Sequence, residues 1–137
     1  MKRLTTGLLL LATLFVLSAC GGGSDAAQRA ACLRVKDYDL DFAAEGRGRP
    51  PLLSEESINR LGTDLRRIER AAFRTSDSRL QKMARQARRE WADYAFGVAS
   101  SEPEFVAPSP VWSVSEDVLE SKAALVQYCD KTTGFNP

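Results

Sequence analysis

The sequence predicts an all-α protein, an up-down-up-down four-helix bundle over residues 26–137. Three observations carry that expectation. Apolar residues recur at three-four spacing in four separate segments, which is the signature of helices burying one face. The links between segments are short or modest, and short links force neighbouring helices to run antiparallel. Cys32 and Cys129 stand near the start of the first segment and the end of the last, positions that this topology brings to one end.

The first helix is expected from Asp25 to about Glu45, where Ala27, Ala31, Val35, Tyr38 and Phe42 form one stripe. Asp37-Tyr38-Asp39-Leu40-Asp41 also reads as strand-like alternation, and its acids invite comparison with a calcium loop. That loop needs Gly at its sixth position and Glu at its twelfth, where this chain has Phe42 and Gly48, so no metal site is assigned. Gly46-Arg47-Gly48-Arg49-Pro50-Pro51 breaks the helix.

Ser54 then serves as an N-cap, with Glu55 and Glu56 in the first turn where the helix dipole favours anions. Leu53 and Ile58 have the spacing of a hydrophobic staple. Ile58, Leu61, Leu65, Ile68 and Ala72 continue the stripe to a helix end near Arg74, and Gly62 beside it permits a close helix approach. Thr75-Ser76-Asp77-Ser78 is a polar turn carrying caps for a third helix, whose stripe is Leu80, Ala84, Ala87, Trp91, Tyr94 and Val98. Pro103 forbids its continuation.

Residues 101–112 hold three prolines among Phe105, Val106, Val111 and Trp112, and read as a stiff loop. It is either a lid over the open end of the bundle or an exposed surface for a partner, since large aromatics anchor interfaces. The last helix starts at Ser113, which has capping-box spacing to Glu116, or at Ser115, which puts Val114 and Leu119 in staple positions. Val118, Leu125 and Cys129 share one face of it, with Leu119, Ala123 and Val126 alongside.

Residues 1–19 are a different kind of segment. Lys2 and Arg3 precede an apolar run from Leu8 to Leu17, and small residues Ser18 and Ala19 follow. A charged start, a short apolar core and a small-residue cleavage site make a secretory signal peptide. The run is about 10 residues, too short for the roughly 20 of a spanning helix. Leu17-Ser18-Ala19-Cys20 resembles the lipobox of bacterial lipoproteins. The resemblance implies that Cys20 is the lipid-attachment site, bearing diacylglycerol and palmitate after the leader is removed. It implies a domain anchored to the extracytoplasmic side of the cell membrane. Residues 20–25, with Gly21-Gly22-Gly23-Ser24, read as its flexible tether. The resemblance ends there, and the bundle segment resembles no family.

With Cys20 lipidated, Cys32 and Cys129 remain, and export to an oxidising compartment favours a disulfide between them. Two free thiols or a metal site are the alternatives, but the chain has no His and no further Cys, which suits zinc poorly. A bond between them closes a loop of about 98 residues, worth roughly 4–5 kcal/mol by the chain-entropy argument.

Beyond Cys20 about 117 residues remain, enough for one domain with one core. Removing residues 1–19 takes out Lys2 and Arg3 but no acid, so 19 basic residues become 17 against 18 acidic ones, and the total does not point to nucleic acid. The distribution is more telling. Antiparallel packing gathers Arg66, Arg67, Arg70, Arg74, Arg79, Lys82 and Arg85 in the half of the bundle nearest the tether. Acids such as Asp41, Glu45, Asp93, Glu104 and Glu116 fall in the distal half. Arg70, Arg74, Arg79 and Lys82 are therefore the candidate membrane-facing patch, with a solvated charge pattern as the alternative.

Nothing in the chain marks catalysis. There is no Gly-rich phosphate loop after a strand and no G-x-S-x-G or S-x-x-K nucleophile, so no catalytic residue and no cofactor is assigned. Three function classes stand open. The first is a non-enzymatic envelope lipoprotein that binds another exported protein through its distal end. The second is a bundle holding an apolar ligand near Trp91, Tyr94 and Phe96, residues that otherwise read as core. The third is an enzyme built on carboxylates.

Overall fold

A computed structural model describes residues 22–106 and 109–134, with the side chains of residues 22–24 and of Phe105, Val106 and Ser109 excepted. The leader, Cys20 and the lipobox lie outside the described residues. Four helices, α1 (Gly22–Glu45), α2 (Glu55–Ala72), α3 (Ser78–Ala99) and α4 (Glu116–Thr133), form the expected bundle. Each packs on its two neighbours, α1 on α2 and α4, and α3 on α2 and α4. Cys32 and Cys129 are joined by a disulfide, their Cα atoms 5.2 Å apart.

The core repeats the stripes read from sequence. Ala31, Val35, Tyr38 and Phe42 of α1 meet Ile58, Leu61, Leu65, Ile68 and Ala72 of α2, and Leu80, Ala84, Ala87 and Trp91 of α3. From α4 come Val118, Leu125 and Cys129, whereas Ala123 faces solvent. The ambiguity at Asp37–Asp41 is resolved by geometry. Alternation would place Tyr38 and Leu40 on one face, yet Tyr38 is 1% exposed and Leu40 60%. At α2, the Ser54 side chain accepts from the Ser57 N–H at 3.2 Å, and Leu53 and Ile58 are both buried. α4 starts after Ser115, without a side-chain cap hydrogen bond, and ends at Gly134 in the left-handed region at φ 67°.

Three departures stand out. α1 begins at Gly22, inside the stretch read as tether. The loop of residues 46–51 closes through Arg47 and Leu52, whose backbones exchange hydrogen bonds of 3.3 and 2.8 Å. Gly48 turns it at φ 86°, a conformation open to glycine because it lacks a Cβ. The third departure is the largest. Residues 101–112, expected as a loop, carry β2 (Glu104–Val106) and β3 (Ser109–Ser113), which join β1 (Leu52–Ser54) in an antiparallel sheet of order β1-β3-β2.

Proline argues against a central strand because it cannot donate to the ladder. Here the conflict is avoided by register. β1 pairs with Val111–Ser113 and β2 with Ser109–Val111, so Pro110 faces only Phe105 of β2 and has no β1 partner. The sheet closes the distal end of the bundle. Leu53 is fully buried opposite Trp112, and Val114 N–H donates to the Pro51 carbonyl at 3.0 Å.

Candidate functional site

Two ends of the bundle collect the candidate residues. The first is the end carrying the disulfide, where α2 turns into α3. Thr75 is buried in that turn. Its hydroxyl donates to the Ala72 carbonyl at 2.6 Å, and its own carbonyl accepts from Gln81 Nε2 at 2.7 Å. Asp77 then joins three helices with one carboxylate. Oδ1 caps α3 by accepting from the Arg79 and Leu80 N–H groups at 3.0 and 2.9 Å. Oδ2 accepts from Gln28 Nε2 of α1 at 2.6 Å and from the Tyr128 hydroxyl of α4 at 2.7 Å. Burial pushes the Tyr128 phenol up, as do its hydrogen bond to Asp77 and that carboxylate's charge, while Arg79 opposes them.

Asp77→Ala is expected to cost about 3 kcal/mol, combining the lost cap with the lost hydrogen bonds to a charged acceptor. Asp77→Asn keeps an acceptor for the cap and should lose less than half of that. Urea unfolding of the two variants measures both.

Arg70, Arg74, Arg79 and Lys82 all lie on the surface at this end. The Arg79 guanidinium sits 5.2 Å from the centre of the Tyr128 ring. Between Arg66 and Arg89 the chain has nine cations and only two acids, Glu69 and Asp77. Glu69 pairs with Arg88 at 2.8 Å, and Asp77 is engaged as described. Two features here escaped sequence reasoning. The Thr75–Ser78 turn was legible as carrying a cap, but Asp77 was not legible as a three-helix link, because Gln28 and Tyr128 reach it only through the fold. Phe73, outside the apolar stripe, is 44% exposed with Arg85 stacked 4.8 Å from its ring centre.

The distal end is tied differently. Glu45 accepts from the Ser57 hydroxyl and pairs with Arg60, fastening the end of α1 to the start of α2. Lys122 pairs with Asp39 and lies over the Phe42 ring, fastening α4 to α1. Among the candidate partner residues, Val111 and Trp112 are half-buried, and Phe105 and Val106 are described by backbone alone. The Trp112 carbonyl accepts from the Tyr94 hydroxyl at 3.4 Å, and its buried indole N–H has no partner among the described residues. Burial pushes the Tyr94 phenol up to about 12.

Trp91, Tyr94 and Phe96 part company. Trp91 is 4% exposed and packs edge-on against Tyr38, Phe42 and Tyr94, while Phe96 is 78% exposed on the outside of α3. An open groove of about 240 Å³ runs over the Trp91 edge between α2 and α3, floored by Gly62 and flanked by Arg66 and Arg88. No group of three or more His, Cys, Asp or Glu among the described residues is placed to hold a metal ion. No described helix is long and apolar enough to cross a membrane. Compared with known proteins, the chain matches no family model, no curated protein and no solved structure.

Proposed function

We propose that the chain is a bacterial envelope lipoprotein, cut after Ala19, lipidated at Cys20 and held on the extracytoplasmic side of the cell membrane. Its bundle acts as a non-enzymatic binding or accessory domain for another exported protein. The observation that carries this reading is the Cys32–Cys129 bond in a chain that opens on an export leader. A structural disulfide belongs to an oxidising compartment, and the leader sends the chain to one. Support also comes from the start of α1 at Gly22, two residues after Cys20. An acyl chain on Cys20 holds the disulfide end at the membrane and turns the sheet end outward. The edge strands β1 and β2 and the half-exposed Val111 and Trp112 are then the surface offered to a partner.

Cys20→Ala tests the anchor. The variant is expected to lose its acyl mass and to remain uncleaved or be released from membranes. A processed, acylated species from that variant refutes the reading. Crosslinking in intact cells, followed by purification from membranes, identifies the partner that the sheet end holds.

A further inference from the structure

The α2–α3 turn presents the exposed Phe73 ring with Arg85 over one face, and the surface cations Arg70, Arg74 and Lys82 lie at the same end, where the chain enters. We propose that this edge is a second, non-covalent membrane contact, with Phe73 entering the headgroup layer of an anionic bilayer and Arg70, Arg74 and Lys82 meeting lipid phosphates. The proposal rests on the anchored reading and adds the surface and the lipid class it recognises.

The ring is held in place. Phe73 N–H donates to the Glu69 carbonyl at 3.0 Å, and the next residues are locked by the Thr75 and Asp77 hydrogen bonds. An exposed phenyl on so well-tied a turn is displayed by the fold. Arg85 covers one face of the ring and leaves the remainder to solvent. Among the described residues, Arg70, Arg74 and Lys82 have no carboxylate partner. Aromatic and basic side chains together suit the interface, where the ring sits at headgroup level and the cations gain from anionic lipid. A single-strand nucleic-acid site instead needs a series of exposed aromatic platforms, and among the described residues of this edge Phe73 is the one exposed ring, since Tyr128 is half-buried.

The leash is short. Gly22 is two steps along the chain from Cys20, a span of at most about 7 Å. From Gly22 to Gln28, which touches the turn through Asp77, α1 rises about 9 Å at 1.5 Å per residue. An anchored bundle therefore keeps this edge within about two Debye lengths of the bilayer at physiological salt. Upright on α1, the ring stands clear of the lipid. Tilted toward α2 and α3, it reaches the headgroups, so the docked domain leans on this edge.

The test uses the mature, acylated protein in vesicles whose acyl chains carry bromine near the headgroup. Bromine quenches indole only at close range, and Trp91 in the core and Trp112 at the sheet end provide the background in the unsubstituted protein. The indole introduced by Phe73→Trp should be quenched in anionic brominated vesicles and not in zwitterionic ones. Adding Arg70→Gln, Arg74→Gln and Lys82→Gln should lower the docked-to-free ratio about fivefold per cation, roughly a hundredfold in all. Circular dichroism confirms that these surface variants stay folded. Equal quenching in both vesicles, none in anionic vesicles, or no effect of the triple change overturns the proposal, as does binding to an oligonucleotide or acidic protein without quenching. Mass spectrometry reads the acyl group separately. If it is missing, the anchoring reading fails alone, because quenching is still measurable with the same chain added to vesicles from solution.

Discussion

Cys32→Ala with Cys129→Ala is expected to lower the stability of the bundle by about 4–5 kcal/mol. The two residues are 97 apart in sequence, so the bond closes nearly the whole domain into one loop. Removing it returns that loop-closure entropy to the unfolded chain, and the cost grows with loop length. Both residues are buried at 1% and 4% exposure, so Ala also removes two sulfurs from a packed site. Against a typical domain stability of 5–15 kcal/mol, this leaves the bundle marginal. A melting temperature lowered by about 20 °C checks it, at about 4 °C per kcal/mol for a domain of this size. Alkylation of the unreduced, denatured protein should label neither cysteine. Labelling of both, or a loss below 1 kcal/mol, contradicts the expectation.

The second large effect belongs to Trp91. Its indole fills the middle of the bundle, with ring centres of Tyr38, Phe42 and Tyr94 at 6.4, 6.3 and 5.6 Å. Trp91→Ala is expected to cost about 3–5 kcal/mol through lost burial and the cavity left behind. Gly62 is the other half of this contact. A Cβ placed there stands 2.7 Å from Trp91 Nε1, closer than van der Waals contact allows, so the ring must shift against its three aromatic neighbours. Gly62→Ala therefore opposes two effects. Helix propensity favours Ala by about 1 kcal/mol, and overpacking costs about 1–3 kcal/mol, so the net change runs from neutral to about 2 kcal/mol destabilising. In the Trp91→Ala background the clash is gone, and Gly62→Ala should become stabilising by up to about 1 kcal/mol. A double-mutant cycle by urea unfolding reads that change of sign. Additive effects would show that the two residues do not touch.

The limits of sequence reasoning fall at identifiable residues. The helices were legible because each writes its own face into a local three-four pattern, and short links leave antiparallel packing as the only neighbour geometry. Ser54 was legible as a cap, and the Thr75–Ser78 turn as the place of another, for the same reason, since a cap acts on the next three residues. The sheet was not. β1 is three residues long and pairs with β3 some 60 residues onward, and Pro103 and Pro110 mask the strands that follow α3. Neither segment has a strand pattern long enough to stand alone. Phe73 gave no sign of its exposure either, because it lies one place beyond the stripe, where a residue's face depends on how the turn closes.

By itself the sequence determined the helical stripes and the pairing of Cys32 with Cys129, and it supplied the pattern at residues 1–20 on which the proposed leader and anchor rest. All of these rest on covalent order or on neighbours within a few residues. Only the tertiary structure decided that Asp77 serves three helices, that Trp91 needs the missing Cβ of Gly62, that three short strands close the distal end, and that Phe73 stands among cations. Each of those depends on segments far apart in the chain, and packing rather than propensity brings them together.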